Sequence, residues 1–316
     1  MQPAHKLGVV AIGGNALIRD HHEAIADQFE TASQIATHVA DMIAAGWNVV
    51  LTHGNGPQIG FILRRSELTM GELPPVPMDY AGADIQGALG WMFVRALRNE
   101  FRRRGLRREA VAVVTQTIVE PDDPAFADPR KPIGSHMDEP QAKRLAARLH
   151  WSVREDAGRG WRRVVPSPPP KAIIEIDVIR HLAHAGYVVV ACGGGGIPVV
   201  EDARGELRGI EAVIDKDLAS SLLARGLGAE ALVFLTGVDR IALDFNKPSQ
   251  RAIDRMTIAE ARRYCAEHHF AEGSMGPKVA ALIEFVAAGG AFGLVTDAPS
   301  LARALVGEAG TRLVAD

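Results

Sequence analysis

Cysteine is nearly absent. Two residues in 316, Cys192 and Cys265, make no disulfide framework and have no metal-ligand spacing. Cys192 ends a strand-like run and reads as a small buried residue. Charge of one sign is also scarce: the formal net charge of −3 gives no general attraction to nucleic acid or to an anionic membrane. No apolar run approaches the length of a membrane span, since glycine or charge interrupts the longest candidates. The opening residues, MQPAHKLGVVAIGGN, lack a signal-peptide layout, because their short apolar run leads directly into a glycine turn. A reducing cytoplasm is the expected compartment. The common nucleotide fingerprints are missing too. There is no GxxxxGK[ST], and AIGGNAL is not GxGxxG, which argues against a Walker ATPase and a Rossmann dehydrogenase. No internal repeat or low-complexity tail is present.

What remains is an alternation of short β-branched runs with longer segments of helical period, the pattern of a parallel sheet covered by helices. Strands are expected at Leu7–Ile12, Trp47–Thr52, Val111–Val119, Tyr187–Cys192, Ala231–Leu235 and Ala291–Thr296, with an edge strand at Arg312–Ala315. Ile25, Phe29, Ala32, Ile35, Val39, Met42 and Ile43 recur at three- and four-residue steps and define an amphipathic helix. Further helices are expected over Ala83–Arg104, Ile173–His184, Asp217–Arg225, Thr257–Cys265 and Pro277–Ala288. The basic triplet Arg102–Arg104 suits a helix C-terminus and needs no nucleic-acid partner. Between Glu120 and Lys171 the character changes to Pro, Asp, Arg and Gly, with one helix at Glu139–Leu149. A structureless loop of that length is improbable, so the segment reads as a lid or subdomain inserted in the sheet.

Three glycine-rich loops, Gly13-Gly14-Asn15, Gly54-Asn55-Gly56 and Gly193–Gly196, each follow a strand. Loops at the carboxyl ends of parallel strands line the ligand crevice, and clustered backbone N–H groups there suit a heavily charged anion. Positive charge is the next requirement, because phosphoryl transfer is mostly positioning plus charge stabilisation. Lys216 stands in Ala-Val-Ile-Asp-Lys-Asp, at the start of a helix. Lys278 stands in Gly-Ser-Met-Gly-Pro-Lys-Val, with Pro277 suited to the first helical position. A lysine in the first turn opposes the helix dipole, so Lys278 calls for an anionic partner. Lys131 stands in Arg-Lys-Pro-Ile-Gly, inside the insertion.

These stretches, taken in order, resemble the carbamate kinases of the amino acid kinase superfamily from end to end. The resemblance rests on Ala11–Leu17, His53–Gln58, Lys131–Gly134, Glu155–Arg162, Pro166–Pro168, Cys192–Val199, Val213–Asp217, Leu235–Asp239 and Gly273–Lys278. It implies an α/β fold with an eight-stranded, mostly parallel sheet sandwiched by helices, assembled as a homodimer. Residues 1–212 would hold carbamate, 213–316 the nucleotide, and 120–171 would form a protruding lid. Lys131, Lys216, Asp217 and Lys278 would be catalytic, with Asp217 orienting the lysines. Gly13, Gly14, Asn15, Gly54, Asn55, Gly194 and Gly195 would bind carbamate. Thr236, Gly237, Val238, Asp239, Met275 and Lys278 would bind ATP or ADP, with Mg²⁺ held mainly through the phosphates.

Many amino acid kinases carry a lysine two residues before the first Gly-Gly, where this chain has Ala11; Lys131 is the expected source of that charge. The insertion also departs from the family at Ser135-His136, where an aromatic residue is common. Three alternatives stand beside this reading: another small-acid kinase of the same fold, a nucleotide-binding regulator without catalysis, and an acyl-phosphate-binding assembly subunit. The regulator would be expected to lack a lysine or Asp217, and all are present.

Overall fold

Lys6–Ile12 is apolar on both faces and becomes an inner strand, which a parallel sheet covered on both sides requires. The structure, a computed structural model, describes residues 6–13, 17, 24–156, 158–271 and 273–316. Its main sheet is built from β1 (Lys6–Ile12), β2 (Trp47–His53), β3 (Ala110–Ala112), β4 (Val188–Val190), β5 (Ala231–Leu235), β6 (Arg255–Thr257), β7 (Phe292–Thr296) and β8 (Thr311–Val314). Their order is β6-β8-β7-β5-β1-β2-β4-β3. Every neighbouring pair is parallel except β7 with β8.

The covering helices are α1 (Ile25–Ala44), α2 (Gly56–Leu68), α3 (Met78–Arg104), α4 (Ile176–His184), α5 (Lys216–Leu227), α6 (Ile258–Ala266), α7 (Met275–Ala287) and α8 (Leu301–Leu305). Alternate residues of a strand face opposite sides, so β1 sends Val10 and Ile12 into one core and Val9 and Ala11 into the other. The first core joins α1, α2, α3 and α8 around Phe93 and Phe101; the second joins α4 to α7 around Phe234 and Phe285. Each such buried ring contributes about 1.5–3 kcal/mol. No helix among the described residues is long and apolar enough to cross a membrane.

The basic end of α3 is where the sequence places it, closed by Gly105 in the left-handed region at φ 66°. Arg104 does more than face solvent. It pairs with Glu100 and with Asp41 at 2.6 Å, and donates to the Thr37 carbonyl, pinning α3 to α1.

Two strand expectations need correction. Val111–Val119 is not one strand: Ala110–Ala112 stays in the main sheet, while Gln116–Ile118 moves to a second, four-stranded sheet with Ile197–Glu201, Leu207–Gly209 and Ala172–Ile173. Gln86 makes the break, accepting from Thr115 N at 2.7 Å and donating to Thr115 O at 3.0 Å. The last strand is not an edge either, because β6 pairs outside β8.

The insertion folds into an antiparallel three-stranded sheet, Lys131–Met137, Trp161–Val165 and Ser152–Glu155, with the Glu139–Leu149 helix. Its ends meet through a 3.1 Å Lys171–Glu120 ion pair. Its root is not free-standing, since Ile133 and Val165 join the first core. Asp156 of the Glu155–Arg162 stretch gathers Arg159 at 2.8 Å, His136 at 3.0 Å and Arg162 at 3.4 Å. That cluster accounts for His136: it ties one strand of the insertion to the neighbouring turn.

Candidate functional site

The parallel register brings the carboxyl ends of the central strands to one place. Ile12 sits beside both His53 and Leu235, and Leu51 beside Val190. The residues that follow these ends, Gly13, Gly54-Asn55, Thr236-Gly237 and Gly194, line one cleft of about 440 Å³. Lys131, Asp215, Lys216, Asp217, Ser274 and Lys278 line it as well. A second space of about 530 Å³ runs beneath the insertion and shares Asn55, Gly56, Pro57, Lys131 and Val213 with the first.

Helix α5 aims its N-terminus into the cleft. Asp215 caps it, accepting the Asp217 N–H at 2.9 Å, so Lys216 and Asp217 fall in the first turn. Asp217, only 7% exposed, accepts from Lys216 Nζ at 2.5 Å and from Lys278 Nζ at 3.1 Å. This is the anionic partner that the position of Lys278 requires. Helix α7 begins at Met275 rather than at Pro277, which leaves Lys278 in the first turn, where it also donates to Ser274 O. Burial pushes the Asp217 carboxyl up, but the two lysines outweigh it and hold the group below the usual carboxylate range. Burial pushes Lys216 down, opposed by Asp217 and aided by Lys278. From the insertion, Lys131 Nζ reaches Asp215 Oδ2 at 3.2 Å. Three ammonium groups thus converge on one cleft, with two carboxylates between them.

The four consecutive glycines form a tight joint behind this site. Cys192 is left-handed at φ 49°, and Gly194, Gly195 and Gly196 have φ of 67°, 96° and 94°. A methyl group on Gly193 would stand 2.6 Å from the His53 ring, and one on Gly195 2.6 Å from Ile214 O. On Gly194 and Gly196 it would collide with Asn55 and Thr117. The run therefore lets the His53, Asn55 and Thr117 side chains and the Ile214 carbonyl approach the backbone. His53 is buried and donates from one ring nitrogen toward Gly54 O at 3.1 Å; burial lowers its pKa from 6.5 to about 4, so it is neutral. Cys192 is buried as expected, and burial pushes its thiol well above the usual range.

The cleft lining includes Lys131, Lys216, Asp217, Lys278, Gly13, Gly54, Asn55, Gly194, Thr236 and Gly237. Gly195 backs onto Ile214 instead, Met275 packs against the second core, and neither Val238 nor the exposed Asp239 lines the cleft. Gly14 and Asn15 lie outside the described residues. Ala11 is fully buried in the second core, beside Thr52 and Phe234 in the register. Sequence reasoning missed Asp215 and Gln86. Asp215 has a local signal, an aspartate just before a helix; Gln86 has none.

A sequence model of the amino acid kinase family matches residues 6–297. A carbamate kinase of Pyrococcus horikoshii is 46% identical over 308 residues, covering 96% of this chain and 98% of that protein. A carbamate kinase-like protein of Escherichia coli is 45% identical over 98% of this chain and 99% of its own length. Among solved structures, a carbamate kinase from Giardia lamblia bound to AMP-PNP superposes with a TM-score of 0.94 at 40% identity, covering 99% of each chain. The chain belongs to the amino acid kinase family. Within that family, its full-length relatives named here are carbamate kinases and a carbamate kinase-like protein.

Proposed function

We propose that the chain catalyses reversible phosphoryl transfer between ATP and carbamate, and can run from carbamoyl phosphate and ADP toward ATP. The observation that carries this reading is the convergence of Lys131, Lys216 and Lys278 on one glycine-walled cleft. A phosphoryl group in transfer spreads charge over its oxygens, and fixed cations complement that charge without reorganising. Carbamate already carries an oxyanion and needs no general base. The neutral, buried His53 suits that economy by bracing the glycine joint.

In this reading Lys216 and Lys278 contact the transferring group and the nucleotide phosphates, Asp217 holds both, and Lys131 approaches from the lid, residues 120–171. Gly13, Gly54, Asn55 and Gly194, with Gly14 and Asn15, form the carbamate side in residues 1–212. Thr236 and Gly237, continuing to Val238, Asp239 and Met275, form the nucleotide side in 213–316. Both carboxylates that line the cleft, Asp215 and Asp217, are engaged by lysines. That engagement fits Mg²⁺ carried on nucleotide phosphates, where it would neutralise charge as a Lewis acid.

The reading extends to a cytoplasmic homodimer. An apolar groove between α1, α2 and α3, containing Phe29, Met92 and the 57%-exposed Trp91, suits a second copy, and sedimentation of the wild type would show a monomer if that is wrong.

The test of function is ATP formation from ADP and Mg²⁺ with carbamoyl phosphate, acetyl phosphate or an N-acylamino-acid phosphate. Carbamoyl phosphate should be preferred by about a hundredfold in kcat/KM. Preference for the acylamino-acid phosphate would establish the other small-acid kinase, and no ATP from any donor would leave the regulator.

A further inference from the structure

Asp215 faces two ways. One carboxylate oxygen caps α5 through the Asp217 N–H at 2.9 Å, and the other accepts Lys131 Nζ at 3.2 Å. The second bond joins the insertion to the C-terminal half across 84 positions of sequence. The Lys131 ammonium group has no other hydrogen bond or ion pair among the described residues. Its backbone is fixed, because its strand pairs with Val165 at the buried root of the insertion. Its ammonium group is not, since it rides on a flexible four-carbon stem. The pair is half-open, with Lys131 42% and Asp215 21% exposed. Such pairs are weak, which suits a contact made to be exchanged rather than one that holds the fold.

We propose that Asp215 is a positioning residue, a stand-in anion that keeps the Lys131 ammonium over the cleft until a phosphoryl oxygen replaces it. This rests on the phosphoryl-transfer reading above. Both groups line the same cleft, so an anion bound there meets Lys131 already inside rather than in solvent. Lys216, which follows Asp215 in the chain, lies within reach of its charge and offsets part of it after Lys131 turns to the substrate. Helix capping alone would not need the charge, because asparagine caps a helix as well as aspartate does.

Asp215→Asn therefore separates the two roles, keeping the cap and removing the anion. The experiment is a double-mutant cycle of Asp215→Asn with Lys131→Met, reading kcat and both KM values for ATP formation from carbamoyl phosphate and ADP. Asp215→Asn should raise the carbamoyl phosphate KM about three- to tenfold, with the ADP KM within about twofold. In the Lys131→Met background the same substitution should change the carbamoyl phosphate KM by less than about twofold. An equal effect in both backgrounds, or none in either, would overturn the proposal. Amine-selective labelling of the substrate-free protein decides the matter even if the proposed activity is not found. The Lys131 ammonium should be modified faster in Asp215→Asn than in wild type while hydrogen exchange of α5 keeps its protection, and unchanged Lys131 labelling would count against the contact.

Discussion

Asp217 stands between two ammonium groups that would repel one another without it. The Lys278 charge already helps lower the pKa of Lys216. Lys216→Ala or Lys278→Ala removes a proposed charge-stabilising donor while Asp217 keeps one partner, so the fold should survive. Turnover should fall by roughly 10²–10³, the effect of removing about 3–4 kcal/mol of transition-state stabilisation. Steady-state rates on variants with unchanged circular dichroism check this, and wild-type turnover would remove that lysine from the mechanism. His53 supports a different measurement. Its folded pKa of about 4 lies below its ordinary 6.5, so the unfolded chain takes up the proton first as pH falls. Stability is flat above that window and is lost between pH 6.5 and about 4, by about 3 kcal/mol in full. Thermal melts across the window should show a shallower slope for His53→Gln than for wild type; parallel curves would mean that His53 is not buried neutral. At this scale legibility follows locality. Lys216 and Asp217 stand out in one six-residue stretch, whereas the second role of Asp215 depends on Lys131, and no local pattern reveals it.

The glycine joint belongs to the scale of elements, because it is where β4, the His53-Gly54-Asn55 loop and the segment before α5 meet. Gly194 combines a left-handed backbone with contact against Asn55, while Gly237 has neither a positive φ nor a neighbour within 4 Å of an added methyl. Gly194→Ala should cost about 1–3 kcal/mol of stability and weaken anion binding by displacing Asn55. Gly237→Ala should leave the melting temperature nearly unchanged, and equal melting temperatures for the two variants would show that the joint tolerates a side chain. The same joint explains why Val111–Val119 is two strands and not one. The β-forming run from Val111 to Val119 contains no breaker; the break comes from Gln86, which binds Thr115 on one side and donates to Gly193 O at 3.1 Å on the other. Helix boundaries were more legible where a cap was encoded. The insertion helix Glu139–Leu149 is a case in point, with Asp138 accepting the Gln141 N–H at 2.7 Å.

Across the whole molecule, the alternation of apolar runs and amphipathic segments was enough to read a parallel sheet with helices on both faces. Parallel register then places the carboxyl ends of six strands, all but β6 and β8, on one side, which is why three glycine loops far apart in sequence share a cleft. The position of the last strand was not legible, since only the pairing of β6 outside β8 decides which of them is the edge. Nor was the burial of the insertion's root, because Ile133 and Val165 sit in short runs that look like those of a surface hairpin. In the proposed reaction the insertion and the C-terminal half act on one phosphoryl group. Lys131→Met tests it most directly, since the position lies on the insertion and the altered side chain stays short of the fold's cores. ATP formation from carbamoyl phosphate and ADP should drop about a hundredfold or more, with ADP binding retained. Near-normal turnover with an unchanged KM for carbamoyl phosphate would contradict it, leaving the insertion outside the chemistry.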